Sequence, residues 1–151
     1  MLQGPNGQGI AMLHLLKLCV GAESVEDLAG WQASQAPLWP RGRAIHVTRM
    51  WPKREAELLA GGSLYWVIRG TVLARQRLLA LEAVDEGDGV PRCALILDAA
   101  IVRTEPQRRA PFQGWRYLSP DAAPRDLAGG HVREDRLPPA LAAALADMGV
   151  R

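Results

Sequence analysis

Arginines interleaved with aromatic side chains run through the middle of the chain. They occur in His46-Val-Thr-Arg-Met-Trp-Pro-Lys-Arg54, in Gly61-Gly-Ser-Leu-Tyr-Trp-Val-Ile-Arg-Gly70, in Arg75-Gln-Arg77 and in Arg109-Ala-Pro-Phe-Gln-Gly-Trp-Arg-Tyr-Leu118. Guanidinium groups hold phosphates in bidentate fashion and aromatic faces stack flat rings, which together are the chemistry of nucleotide and RNA recognition. On this reading Arg49, Lys53, Arg54, Arg75, Arg77 and Arg116 contact phosphates, and Tyr65 or Trp115 stacks a base. The segment Phe112–Leu118 suits a binding rim and a structural plug equally well. Tyr65 and Trp66 alternate on one strand and point to opposite faces.

Charge is segregated behind a net value of +2. Between Arg41 and Arg77 eight Lys/Arg face only Glu55 and Glu57, an excess of +6, which leaves −4 for the rest of the chain. A local excess matters more to an anionic partner than the total does. The competing reading is that these cations scatter over several faces on folding. Lys17 and Lys53 are the two lysines among 18 cationic residues. That bias toward arginine is explained more simply by genomic base content than by phosphate binding.

Catalytic patterns are sparse. His14, His46 and His131 lack metal-ligand spacing, and two cysteines make neither a zinc site nor a disulfide framework. Cys19 and Cys93 lie in apolar runs and read as buried thiols. Ser63 follows two glycines without a nucleophile-elbow context. Glu55 and Glu57 point different ways on a helix. His46 is the residue that would act as acid or base, and a Cys19–His46 pair across strands has no other support. No metal and no cofactor is expected. No stretch approaches the roughly 20 apolar residues of a membrane span, so no membrane partner is expected and a cytoplasmic location fits.

These residues need a scaffold. Residues 1 to 11 are polar and Gly-rich and read as a disordered extension. Leu13 to Val20 is a short apolar run that reads as a strand closed by Gly21. Ser24-Val-Glu-Asp27 is a helix start with Ser24 as N-cap, after which Val25, Leu28, Ala29 and Gln32 share a face and Trp31 joins the core. Residues 37 to 43 form a loop. Ala44 to Met50 is a strand, Lys53 to Ala60 a helix stopped by Gly61-Gly62, and Leu64 to Arg69 a strand. Thr71 to Val84 has helical composition, but the acidic Gly turn at 85 to 89 and the following run Arg92 to Val102 favour a strand. Pro106 to Pro111 reads as a basic loop and Phe112 to Leu118 as a short strand or turn. The chain is then extended to Pro139, and Pro139 to Met148 is a short helix. The organisation expected is one globular domain over 12–118, with 119–151 packed on it.

The motifs Leu13-His-Leu-Leu-Lys-Leu-Cys-Val-Gly21, His46 to Arg54, Gly62 to Gly70 and Pro111 to Leu118 resemble an uncharacterised bacterial family, domain of unknown function number fourteen eighty-nine. The likeness spans residues 12 to 147 and implies no activity. The order helix, Gly, strand, Arg-x-Arg, strand, acidic turn, strand and aromatic closing segment is similar at fold level to PUA-like and ASCH-like barrels. Many of those bind RNA or modified bases, while the Lys/Thr/Glu pattern of the ASCH-like amidohydrolases is not evident here.

The expected fold is α+β, a small curved, mostly antiparallel sheet or PUA-like pseudo-barrel with two to three flanking helices. The expected function is an RNA- or nucleotide-binding module. One alternative is a small hydrolase or transferase acting on a nucleotide-like metabolite through His46. The other is a non-catalytic subunit using exposed Trp and Arg to bind a protein partner.

Overall fold

The computed structural model describes residues 11–132. Most of the expected N-terminal extension and the expected helix at 139–148 lie outside the described residues. The elements in chain order are β1 (His14–Leu18), α1 (Val25–Gln35), β2 (Arg43–Thr48), α2 (Glu55–Leu58), β3 (Ser63–Ile68), β4 (Thr71–Val84), β5 (Arg92–Asp98), β6 (Ile101–Arg108), β7 (Trp115–Leu118) and β8 (Asp126–Val132). The fold is α+β and mostly strand. One curved sheet runs β2-β5-β4-β3-β1-β7, with β6 on β4 and β8 on β6, and among the described residues this path is open. Every pairing is antiparallel except β1 with β3. No helix among the described residues is long and apolar enough to cross a membrane.

The 14-residue β4 organises the sheet. Its first half pairs with β3 on one edge and β6 on the other, and its second half pairs with β5. Ala, Leu, Arg and Gln give this segment helical propensity, yet Val72, Ala74, Gln76 and Leu78 are buried at every second position. Pairing along the strand outweighs the propensity, as it does for many strands. The turn from β3 places Arg69 at φ 53° and Gly70 at φ 80°, the backbone of a two-residue primed hairpin.

β5 and β6 lie end to end along β4, broken at Ala99-Ala100. There the Asp98 carboxylate accepts the Ala100 N–H at 2.8 Å and the Gly42 carbonyl accepts the Ala99 N–H at 3.0 Å. The basic loop expected from Pro106 gives way to strand, since β6 continues to Arg108. Its register against β4 slips between Val72 and Ala74, so Pro106 falls in a bulge where no ladder donor is required. Past a 3-10 turn at Pro120–Ala122 the expected extended segment supplies an edge strand, β8.

The sheet buries both faces. The inner face carries the larger core, including Leu13, Leu15, Leu64, Trp66, Ala74, Leu78, Leu95 and Leu97, with Val25 and Leu28 of α1 packed on it. The outer face carries a smaller cluster of Leu16, Tyr65, Val67, Val72 and Leu118 beneath Phe112 and Ala123. At the start of α1 the Ser24 hydroxyl accepts the Asp27 N–H at 3.1 Å, and the Asp27 carboxylate accepts the Glu23 N–H at 3.0 Å. Trp31 corrects the expectation of a core tryptophan: it is 53% exposed. It stands roughly a quarter turn from the line of Val25, Leu28 and Gln32, and meets Trp39 edge-on at 5.8 Å. α2 is shorter than the eight residues expected, spanning Glu55–Leu58 before Gly61 and Gly62.

Candidate functional site

Among the described residues, Lys17, Gln32, His46 and Gln76 are long polar side chains at core-facing positions. Alternation puts Lys17 in line with Leu13 and Leu15 on β1, His46 with Ala44 and Thr48 on β2, and Gln76 with Ala74 and Leu78 on β4. Helical spacing puts Gln32 in line with Val25 and Leu28 on α1. Apolar neighbours surround each of them, so each must find a polar partner or carry a desolvation cost.

Two of the four satisfy each other. Gln32 Nε2 donates to Gln76 Oε1 at 2.9 Å, and Gln76 Nε2 donates to Gln32 Oε1 at 2.8 Å. Gln76 Nε2 also donates to the Asp98 backbone oxygen at 3.0 Å, and Trp66 Nε1 donates to Gln76 Oε1 at 2.9 Å. The Gln76 amide therefore uses both hydrogens and accepts twice, its full capacity. This network fastens α1 to the centre of the sheet.

The other two have no such partner. His46 Nε2 is buried without a hydrogen bond, and its ring stands edge-on to Trp66 at 5.1 Å. Lys17 is half-buried, and no hydrogen bond or ion pair reaches its ammonium among the described residues; burial alone lowers its pKa. Both line one cavity of about 360 Å³ between α1, the end of β1 and β2, walled by Trp66, Trp31, Leu28 and Ile45. Asp27 is the one carboxylate in the lining, and its Oδ2 already accepts the Glu23 N–H.

Burial and the nearby Lys17 charge hold His46 at about 4, so the imidazole is neutral near pH 7. Cys19 shares the cavity, but burial and Asp27 push its thiol up to about 11. It is protonated at neutral pH, which argues against a His-activated thiolate. Cys93 is buried and likewise pushed up to about 11.

The His46 shift has a consequence for stability. The unfolded chain binds a proton at this ring below the ordinary 6.5, whereas the folded chain does so only near 4. Folded stability from this group is complete above pH 6.5 and declines as acid is added through that window, by on the order of 2 kcal/mol. His46→Phe is expected to flatten the difference in urea midpoint between pH 7 and pH 4.5. Equal pH slopes in wild type and variant would contradict the assignment.

The aromatic and basic residues expected to bind nucleic acid are distributed differently. Tyr65, Arg75 and Arg77 line a groove of about 430 Å³ on the outer face, with His14, Ser63, Arg125 and Asp126. Arg75 grips Asp126 in a bidentate pair at 2.8 and 2.7 Å and donates to Ser63 Oγ at 3.0 Å. Tyr65 is 5% exposed, packed edge-on against His14 at 4.9 Å. Trp115 is 7% exposed, and its Nε1 donates to the Met50 carbonyl at 2.8 Å. The Tyr117 hydroxyl accepts the Lys53 N–H at 2.9 Å, so β7 anchors the corner that carries Lys53 and Arg54. Arg54 pairs with Glu57 and lies over the Tyr117 ring. Arg116 donates to the Gln113 and Trp115 carbonyls and lies over Phe112. Arg49 is exposed just beyond β2.

Of the residues weighed for chemistry from sequence, His46 and Cys19 lie in the inner cavity, and the predicted nucleic-acid contacts do not. Lys17 and Gln32 were not among them, although a lysine in line with two core leucines is a signal in its own right. Among the described residues no cluster of three His, Cys, Asp or Glu side chains could hold a metal ion. No curated protein and no solved structure matches the chain. The family described as protein of unknown function (DUF1489) matches over residues 15–151, and the chain belongs to that family.

Proposed function

We propose that this protein binds a small, partly planar molecule in the inner cavity, with a ring against Trp66 and Trp31 and a polar end at His46 and Lys17. One observation carries the reading: two buried or half-buried polar groups face the same apolar space without a protein partner. Leaving a buried donor or acceptor unmade costs about 1–3 kcal/mol, and a ligand that supplies the missing partner recovers it. The volume, the apolar walls and the few convergent polar groups are those of small-molecule sites. A nucleobase-like metabolite meets this description. In an enzyme acting on one, the neutral His46 imidazole is the acid/base.

A second reading belongs to the outer groove. Arg77 and Arg125 are exposed there without ion pairs among the described residues, and RNA or nucleotide phosphates suit them. That reading retains the fold-level likeness to PUA-like barrels.

A thermal-shift screen of heteroaromatic metabolites and short oligoribonucleotides separates the two. Compounds that stabilise the protein are expected to bind about tenfold more weakly, or worse, in His46→Phe and in Lys17→Met, and unchanged in Arg77→Ala/Arg125→Ala. Binding lost only in the double arginine variant would transfer the function to the outer groove.

A further inference from the structure

We infer that Lys17 captures carbonyl ligands, forming a reversible imine with an aldehyde or ketone held in the inner cavity; the inference rests on that cavity being a ligand site. Lys17 extends from a core-facing position of β1 into a space walled by Trp66 and Ile45. Its one neighbouring carboxylate, Asp27, is engaged at the start of α1 and makes no ion pair with it. Nothing in the lining therefore stabilises the ammonium. The surroundings disfavour charge generally: burial lowers Lys17, holds His46 neutral and keeps Cys19 a thiol. A cavity in which burial works against charge on each of these groups suits an uncharged electrophile better than an ion. A desolvated amine is the nucleophilic form of lysine.

The chemistry balances without a redox partner. The amine lone pair attacks the carbonyl carbon, a C–N bond forms, and the C=O π pair moves to oxygen. The nitrogen loses one proton to His46 Nε2, which passes it to the alkoxide oxygen, giving a carbinolamine and neutral His46. The carbinolamine hydroxyl then leaves as water with a proton taken from solvent, the nitrogen lone pair forms the C=N bond, and the protonated imine returns its remaining N–H proton to solvent. Lys17 and His46 line the same cavity, and His46 Nε2 is buried there without a hydrogen bond.

Because Lys17 and Lys53 are the two lysines, the site of reaction can be mapped without ambiguity. The folded full chain is incubated at pH 7 with 2-naphthaldehyde and cyanoborohydride, which reduces any imine to a stable secondary amine, and adducts are located by peptide mass spectrometry. Binding of the unreactive 2-naphthalenemethanol is measured in parallel by tryptophan fluorescence. The expected result is a Lys17 adduct about tenfold or more above those at exposed Lys53 and the chain's α-amine, competed by the alcohol and slowed in His46→Phe. Lys17→Arg, which cannot form the imine, should lose the adduct. If the alcohol binds but Lys17 is labelled no more than Lys53, imine capture is overturned and the ligand cavity stands. If neither compound binds, the cavity reading is overturned and the inference falls with it.

Discussion

Replacing Gln76 with leucine is expected to destabilise the protein by about 4 kcal/mol and to empty the inner cavity of ligand at the same time. Gln76 is fully buried and makes hydrogen bonds with Trp66, Gln32 and Asp98. Leucine is of similar size, so the loss is not mainly one of packing. It strands the Trp66 indole N–H, both ends of the Gln32 amide and the Asp98 carbonyl in apolar surroundings, at about 1–3 kcal/mol for each group that relaxation cannot rescue. Urea denaturation gives the magnitude. The Gln32→Leu/Gln76→Leu double variant is the sharper test, because removing both amides leaves fewer stranded groups. It should cost less than the sum of the two single changes. Strict additivity would contradict a coupled network holding α1 over the sheet.

Gly62→Ala is expected to cost about 3 kcal/mol or more, though only one methyl group is added. A Cβ there would lie 2.0 Å from the Leu13 carbonyl oxygen and 2.6 Å from that of Leu58, and both are backbone atoms. They cannot swing aside. The Gly62 N–H donates to the Leu58 carbonyl at 2.9 Å, the Leu78 N–H donates to the Gly62 carbonyl at 2.9 Å, and the Leu13 N–H donates to the Glu57 carbonyl at 3.1 Å. Alanine must therefore push β1 away from the α2–β3 junction, and β1 is the strand that carries Lys17. Overpacking against fixed backbone belongs to the small class of strongly destabilising changes. Gly114 makes the contrast: its φ of 71° strains an alanine but the space beside it is open, so Gly114→Ala should cost nearer 1 kcal/mol. Thermal denaturation that ranks Gly114→Ala as the worse variant would contradict the close-approach argument.

Alternation and capping made much of the scaffold readable in the sequence. The Ser24 cap, the face of Val25, Leu28 and Gln32, and the strands around Leu15, Val47 and Val67 follow from local pattern alone. β4 is ambiguous in the sequence because its residue types favour helix, while pairing with β3, β5 and β6 decides the strand. Pro106 reads as a loop because a bulge opposite β4 is not a local property.

The site was less legible for the same reason. Lys17 and His46 stand out once α1 is known to cover the inner face, which the residues around them do not say. Of the arginines read as phosphate ligands, Arg54, Arg75 and Arg116 are engaged within the chain, whereas Arg49 and Arg77 are exposed. Arg75 meets a carboxylate 51 positions away and Trp115 a carbonyl 65 positions away. Residue type announced that these side chains could hold anions and rings; only long-range pairing decides which of them already hold something else.

The central claim, that a ligand completes the hydrogen bonding of His46 in the inner cavity, is tested most directly by imidazole ¹⁵N NMR on protein labelled at its three histidines. During titration with a compound that stabilises the fold, the His46 Nε2 resonance should move and saturate with the same affinity as the stabilisation, while His14 on the outer face stays in place. A His46 signal that remains fixed as the protein becomes saturated would place the ligand elsewhere and contradict the account.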